Sequence, residues 1–350
     1  MRLDVVAENW LERAVLAADL APKPLAQTLI SLVMTRSLMV GTKLGVFDLL
    51  AAGDRTAAEL AADLGTDGRA SEKLLNALVG MGYLRVRDGR YGLTRTARKW
   101  LPAGSAHSVR DYILEVEQLE WQWMTRLEDF VRTGAPLNVH EGLSADQWSL
   151  YQRGMRAVAS FAAKEIARRV PVPKGATDML DIGGSHGYHS VAICRRHRGL
   201  RSTIMDLPEA VEQARPILAR EGMGDRVVHR AGNALTEDLG SETFDVVYIS
   251  QLVHHFTEED NRELARRVAR ALRPGGFYVI YDVIRPRSPK EGGQLGTMTD
   301  LFFALTSASG TWSLQDMASW QRQAGLEPQD PIRLRTAPGA GIQAAKKLFE

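Results

Sequence analysis

From residue 178 the chain alternates short apolar runs with longer amphipathic stretches. "DMLDIG" is followed by a helical segment from Tyr188, then "STIMDL", "PEAVEQARPILAREG" and "RVVHRAGN". "FDVVYIS", "EEDNRELARRVARAL" and "GFYVIYDVI" continue the pattern. Strands separated by helices pair in parallel, because each crossover needs a dozen or more residues and places its helix on a sheet face. Both faces are then covered, and the strands read as continuous apolar runs. The pattern predicts an α/β domain built on a doubly wound parallel sheet. "SLQDMASWQRQAG" then predicts a last helix, and two strands around "APGAG" an antiparallel hairpin at one edge. In such a sheet, ligands sit at the carboxyl ends of the strands, near the first glycine turn.

Upstream the periodicity is helical. Residues Val5 to Leu50 show apolar side chains at three- and four-residue spacing. The stretch Leu25 to Leu50 is interrupted by Gln27, Arg36, Lys43 and Asp48, too polar for a membrane span, and reads as a buried helix. Two short amphipathic helices follow, "RTAAELAADLG" and "GRASEKLLNALVGMGY", then a hairpin turning at Asp88-Gly89 in "YLRVRDGRYGLT". Helix, helix, hairpin is the order of a winged helix. Arg85, Arg87 and Arg90 lie on the wing, and Arg69 and Lys73 on the second helix, with Glu72 between them. A DNA-binding surface needs a denser basic face, so the wing is expected to pack or dimerise. Residues 109–170 read as helical and rich in tryptophan, up to the break "VPVPKGA". The expected organisation is a helical and winged-helix dimerisation domain over 1–105, connecting helices contributing to a substrate pocket over 106–170, and the α/β domain over 171–350.

A net charge of +2 gives no global argument for nucleic acid or an anionic membrane as partner. The acidic residues Asp4, Glu8 and Glu12 rule out reading the start as a signal peptide. The one cysteine, Cys194, rules out a disulfide framework, suits the cytoplasm, and reads as a small buried hydrophobe.

The glycine turn is Gly183-Gly184-Ser185-His186-Gly187, not the G-x-G-x-x-G spacing of dinucleotide sites. Asp181, at the end of the first strand, would repel a pyrophosphate and attract an ammonium. Asp206 ends the next strand, where a carboxylate can accept both hydroxyls of a ribose. A ligand with a ribose, a cationic end and no phosphate is S-adenosylmethionine. Asp206 also suits a helix cap before Pro208 and Glu209. His186 and His189 read as polar residues on the rim of the turn.

These segments, with "LVHHFTEED", "LRPGGFYVIYDVIRP" and the upstream "LGVFDLL", "TAAELA", "LLNALVGMGYL" and "GRYGLT", resemble the metal-independent small-molecule O-methyltransferases of plants and bacterial natural-product pathways. The resemblance spans nearly the whole chain. It implies a Rossmann-like sheet ending in an antiparallel strand, and a homodimer intertwined through the winged-helix part. It implies S-adenosylmethionine as cofactor, held by Asp181, Gly183, Gly184, Asp206, Leu207, Asn233 and Ala234. It depicts His254 as the general base, with His255 in the place of a usual Asp. Two further departures stand out. Asn233 replaces the acidic residue that contacts the adenine amino group, although an amide oxygen still accepts that bond. "SASGTWSLQDM", with Thr311 and Trp312, holds no carboxylate where the family has a second acidic helper.

The residues themselves support the same chemistry. Methylating a phenol needs a base for its proton, and histidine exchanges a proton near neutral pH. His254 and His255 follow the fourth parallel strand, and Asp282 ends the next, where a carboxylate can fix the imidazole tautomer. His254 could instead cap the helix that follows it. Adjacent histidines can also bind a metal, yet Mg²⁺ needs several oxygen ligands and no carboxylate cluster supplies them, so no metal is expected. Met298, Phe302, Phe303 and Trp312 are candidate walls for a small aromatic acceptor, with Met155 and Arg156 beside them. Methylation at carbon or nitrogen, a family member that binds the cofactor without methylating, and a winged-helix DNA regulator remain as alternatives.

Overall fold

The computed structural model describes residues 3–349. It divides into two compact units, Met1–Gln118 and Leu119–Glu350. The division falls after Gln118, within the stretch 106–170 expected to hold connecting helices.

The first unit contains α1 (Trp10–Ala17), α2 (Lys23–Leu44), α3 (Val46–Ala52), β1 (Arg55–Thr56), α4 (Ala57–Leu64), α5 (Gly68–Gly80), β2 (Leu84–Arg87), β3 (Arg90–Leu93), α6 (Arg95–Trp100) and α7 (Arg110–Glu115). Local signals place these ends. Thr56 and Glu59 close a reciprocal cap on α4, and the Asp67 side chain caps α5. The β2–β3 hairpin turns at Asp88-Gly89, both with positive φ, and β1 adds to β3. The core gathers Phe47, Leu50, Leu60, Leu75 and Leu78 under Leu84 and Leu93 of the hairpin.

One expectation fails here. The apolar stretch Leu25 to Leu50 is not one buried helix. Gly45, with φ of 87°, ends α2 in a left-handed cap, and α3 starts anew. Only α3 and the end of α2 reach the core. Leu25, Leu29, Ile30, Leu32, Val33 and Met34 are exposed, because none of the described residues of this unit packs against the first half of α2 closely enough to cover them. By length and composition alone α2 could also cross a membrane.

The second unit begins with α8 (Trp121–Met124) and α9 (Leu127–Thr133), after a π-helical stretch at Val116–Glu120. The predicted helical run to residue 170 is broken between 134 and 144. Gly134 takes φ of 70° at the end of α9, and Pro136 follows. α10 (Ala145–Arg169) restarts on a Ser144–Gln147 capping box and stops at Val170, the residue before a proline. The α/β part then runs β4 (Asp178–Ile182), α11 (Tyr188–Arg196), β5 (Arg201–Asp206), α12 (Pro208–Ala219), β6 (Val227–Ala231), β7 (Phe244–Ser250), α13 (Glu258–Ala271), β8 (Leu272–Val283), α14 (Pro289–Thr306), α15 (Leu314–Gln323), β9 (Glu327–Pro328), β10 (Ile332–Arg333) and β11 (Ala340–Lys346).

The sheet order is β10-β11-β8-β7-β4-β5-β6, with β9 paired to β11. β4 to β8 are parallel, and β11 runs antiparallel to β8. The chain moves outward from β4 through β5 to β6, then returns to the other side of β4 with β7. The order thus reverses at β4, the position where ligands gather in such sheets. Alternate strand residues serve opposite faces. Leu180, Ile182, Val247, Ile249 and Ile280 pack under α13 and α15. Met179, Val246, Tyr248 and Val279 pack on the face that also buries Ala162 and Ile166 of α10 and Val191 of α11. Each such fully buried aliphatic side chain contributes about 1.5–3 kcal/mol. Cys194 lies fully buried in α11, and burial pushes its thiol up to about 12, so it stays an inert hydrophobe.

Candidate active site

The first half of the site is the turn after β4. Gly183 has φ of 67°, and a Cβ there would stand 2.6 Å from the Leu252 side chain. At Gly184 a Cβ would stand 2.5 Å from the carboxyl carbon of Asp181. Both glycines are therefore required by close approach. Asp181 is buried against the turn, its Oδ2 accepting from Ser190 Oγ at 2.6 Å while Oδ1 has no hydrogen-bond partner among the described residues. Burial raises its pKa to about 7. Asp181 thus sits directly beneath Gly184, in contact with where its Cβ would be.

Ser185, at φ of 52°, joins the turn to both neighbouring elements. Its N–H donates to Asp206 Oδ2 at 2.8 Å, its Oγ donates to the buried Gln152 of α10, and its carbonyl lies 2.8 Å from His229 Nε2. Asp206 Oδ1 accepts the Leu207 N–H at 2.8 Å. Each oxygen of Asp206 is thus aimed by one backbone donor and keeps acceptor capacity for a hydroxyl. Burial raises this carboxyl to about 6, against the pull of both N–H groups. Asn233 is exposed, and its amide oxygen accepts the Leu235 N–H at 2.9 Å. The Ala234 carbonyl accepts from Arg267 at 2.8 Å, which anchors this loop to α13. A ribose fits Asp206, and the glycine turn leaves the close approach a nucleoside needs.

The second half stands one strand away. After β7 a single 3₁₀ turn, Val253–His255, carries both histidines. His254 Nδ1 lies 2.7 Å from Asp282 Oδ1, with both side chains buried. A carboxylate only accepts, so Nδ1 carries the proton and Nε2 presents the lone pair. The same Asp282 oxygen accepts the Val283 N–H at 2.7 Å. The turn is held by its carbonyls: Val253 O accepts from Asn261 Nδ2 at 2.9 Å and from Trp312 Nε1 at 3.0 Å. A Thr257–Asp260 capping box starts α13 directly after it, so His254 itself does not cap that helix.

Of the expected acceptor walls, Phe303 lies against His254, ring centroids 4.3 Å apart, and Phe302 lies edge-on to Phe303 at 5.5 Å. Met155 is half-buried on α10, and Met298 is largely exposed on α14. Trp312 belongs to the core instead, edge-on to Trp320 at 5.1 Å, because its indole N–H is spent on Val253. Arg156 is held by Glu221 at 2.8 Å and lies over the Tyr188 ring, beside the glycine turn. His186 and His189 are buried, not on a rim: His186 Nδ1 accepts the Tyr188 N–H at 3.0 Å, and His189 Nδ1 lies 3.1 Å from Ser250 Oγ.

The fold adds residues that carry no motif. Asp300 of α14 accepts a hydrogen bond from the buried Thr311 hydroxyl, so a carboxylate does reach the stretch that lacks one in sequence. His140, from the loop before α10, lies edge-on to His255 at 4.8 Å and stacks on Trp148 at 5.5 Å. Gln152 and Ser190 support the glycine turn. Their only signal was the polar character of residues within otherwise apolar helix faces. Among the described residues no three His, Cys, Asp or Glu side chains converge to hold a metal.

A parallel sheet reversing at a glycine turn, with a carboxylate ending the next strand and a carboxylate-oriented histidine on the other side, is the layout of a nucleoside-cofactor group transferase. Comparison with known proteins makes this specific. Residues 128–325 match the model of the O-methyltransferase domain, and residues 26–103 match that of the O-methyltransferase dimerisation domain. The chain belongs to this O-methyltransferase family, whose methyl donor is S-adenosylmethionine. A 3-hydroxy-5-methyl-1-naphthoate 3-O-methyltransferase of Streptomyces sahachiroi is 27% identical over 325 residues, 89% of this chain and 92% of that protein. The N,N-dimethyltransferase OxyT of Streptomyces rimosus is 27% identical over 279 residues, 76% of this chain and 80% of that protein. The structure of human N-acetylserotonin methyltransferase in complex with SAM superposes with a TM-score of 0.83 at 19% identity, covering 99% of this chain and 100% of that one.

Proposed function

We propose that this protein transfers the methyl group of S-adenosylmethionine to a hydroxyl of a small aromatic or polyketide-like acceptor, with His254 as general base. The observation that carries the reading is the 2.7 Å contact between His254 Nδ1 and Asp282 Oδ1. It leaves one basic nitrogen, Nε2, in a fixed direction at the carboxyl end of the sheet.

When bound, S-adenosylmethionine supplies a methyl group activated by its sulfonium charge. Asp206 accepts the ribose hydroxyls, Gly183 and Gly184 let the nucleoside approach the backbone, and Asp181 supports the turn from beneath. Leu207, Asn233 and Ala234 flank the cofactor on the β5 and β6 side. His254 Nε2 takes the proton of the acceptor hydroxyl as the oxygen–carbon bond forms, and Asp282 stabilises the resulting imidazolium. Phe302 and Phe303 pack on the acceptor ring beside the base, with Met155 and Met298 as outer walls.

The helix, helix, hairpin part serves as a winged helix for homodimerisation in the cytoplasm. Two of its wing arginines are already engaged, Arg85 with Asp54 at 2.9 Å and Arg90 with Glu59 at 3.1 Å, which disfavours a DNA-reading role. Transfer to nitrogen is the second reading, favoured by the relative named as an N,N-dimethyltransferase. Screening phenolic and amine acceptors with labelled S-adenosylmethionine separates the two. Label in methyl ethers that is lost in His254→Ala supports the first reading, and label in amines alone overturns it.

A further inference from the structure

His254 does not stand alone. His255 lies against it, with ring centroids 4.2 Å apart, and His140 lies edge-on to His255 at 4.8 Å. His140 in turn stacks nearly parallel on Trp148 and meets Tyr151 edge-on at 5.2 Å. Three imidazoles thus run outward from the base, and the outermost is clamped by two aromatic rings. The first ring has its Nδ1 committed to Asp282. The other two differ: among the described residues, no hydrogen bond is made by a ring nitrogen of His255 or His140. Both side chains are half-buried, and their ring nitrogens are left to solvent or to a ligand.

A half-buried polar group next to a reactive base, rigidly packed yet unpaired, is what a ligand-reading site requires. Burial and the neighbouring imidazoles hold both rings below the usual histidine range, His140 at about 4, so both are neutral at pH 7. A neutral imidazole offers one N–H donor to an oxygen of the ligand.

We propose that His255 and His140 select the acceptor by donating hydrogen bonds to a second oxygen function, a carboxylate or carbonyl, carried on the same ring system as the hydroxyl that His254 deprotonates. The inference rests on the O-methyltransferase reading above and adds the acceptor class: oxygen-substituted hydroxyarenes in preference to simple phenols. The geometry explains the preference. His255 is the ring packed directly against His254, and His140 is the next ring beyond it, so both stand beside an acceptor whose hydroxyl meets His254. An acceptor without the second oxygen leaves both donors unpaired in a half-dry site, the situation that discriminates against analogues lacking a polar group.

The test compares 3-hydroxy-2-naphthoate with 2-naphthol in the full-length protein. Calorimetric binding to the S-adenosylhomocysteine complex is measured beside kcat and KM for methylation. Wild type is expected to bind the hydroxynaphthoate at least about 10-fold more tightly, the effect of roughly one hydrogen bond to a charged group. His255→Phe keeps a flat ring but removes the donor. It is expected to erase most of this ratio, acting on KM more than on kcat, and His140→Phe to reduce it. His255→Asn, which keeps an N–H donor, is expected to restore part of it. Equal binding of both probes by wild type overturns the inference. So does an unchanged ratio in His255→Phe, or an identical loss in the Phe and Asn variants, which would mark a packing role. Discrimination in binding with no methyl ether formed from either probe upholds the donor pair and overturns the O-methyltransferase reading instead.

Discussion

The indole N–H of Trp312 donates to the carbonyl of Val253, the residue immediately before His254. A core tryptophan thereby fixes the peptide that carries His254. Trp312→Phe removes this donor and leaves the carbonyl with the Asn261 side chain and the Phe256 N–H, a loss of about 1 kcal/mol for the turn. We expect kcat to fall up to about 10-fold with the KM for S-adenosylmethionine unchanged. A parallel fall in cofactor affinity would show that Trp312 supports the whole site and not the turn.

His254→Ala is expected to lower kcat by about 10²–10⁴-fold while cofactor binding, read by calorimetry, stays intact. Asp282→Asn should cost less, since the base remains and only its orientation and tautomer are disturbed. Near-full kcat in His254→Ala would mean that the acceptor loses its proton without help from this residue.

If Asp206 accepts the ribose hydroxyls as proposed, Asp206→Ala should weaken S-adenosylmethionine binding by about 2–4 kcal/mol. The wild-type pH dependence carries a sign. Burial raises this carboxyl to about 6, so it is ionised above that pH and protonated below it. Only the ionised form accepts from both hydroxyls, so affinity is expected to be flat above about pH 7 and to fall as pH drops through 6. Titration calorimetry from pH 5 to 8 checks this, and Asp206→Asn should lack the step.

Gly184→Ala would drive a methyl group against the Asp181 carboxyl and should abolish cofactor binding with a loss of stability. Asp181 itself is held at about 7 by burial, above the carboxylate value of an unfolded chain. The folded state therefore binds this proton more tightly, and the group's contribution is present at acid pH and lost as pH rises toward 7. Asp181→Asn has no such proton to lose. Its melting temperature, compared with wild type by calorimetry, should improve in relative terms from pH 5 to pH 8.

The exposed face of α2 should be covered by a second copy. Leu29, Ile30 and Val33 are each about half exposed, too large an apolar strip for a single chain to leave in water. Light scattering is expected to give a dimer at micromolar concentration, and Leu29→Glu with Val33→Glu to shift it to monomer. A wild-type monomer would overturn the dimer reading.

Strand and helix order, the glycine turn and the pairing of His254 with Asp282 were legible in the sequence because each depends on short-range rules. Period two against 3.6 separates strand from helix, and a turn with no room for Cβ demands glycine. A residue ending a parallel strand also lies at the ligand edge whatever surrounds it. What required the tertiary structure were contacts between segments without a shared period. The Thr311 hydroxyl meets Asp300 across the end of α14, and His140 reaches His255 from a loop far upstream. The sequence also read Trp312 as a pocket wall and Leu25 to Leu50 as a buried helix. Periodicity says which residues share a face; it does not say what lies opposite that face. For Trp312 the opposite group is a backbone carbonyl, and for the first half of α2 the described residues supply no close cover.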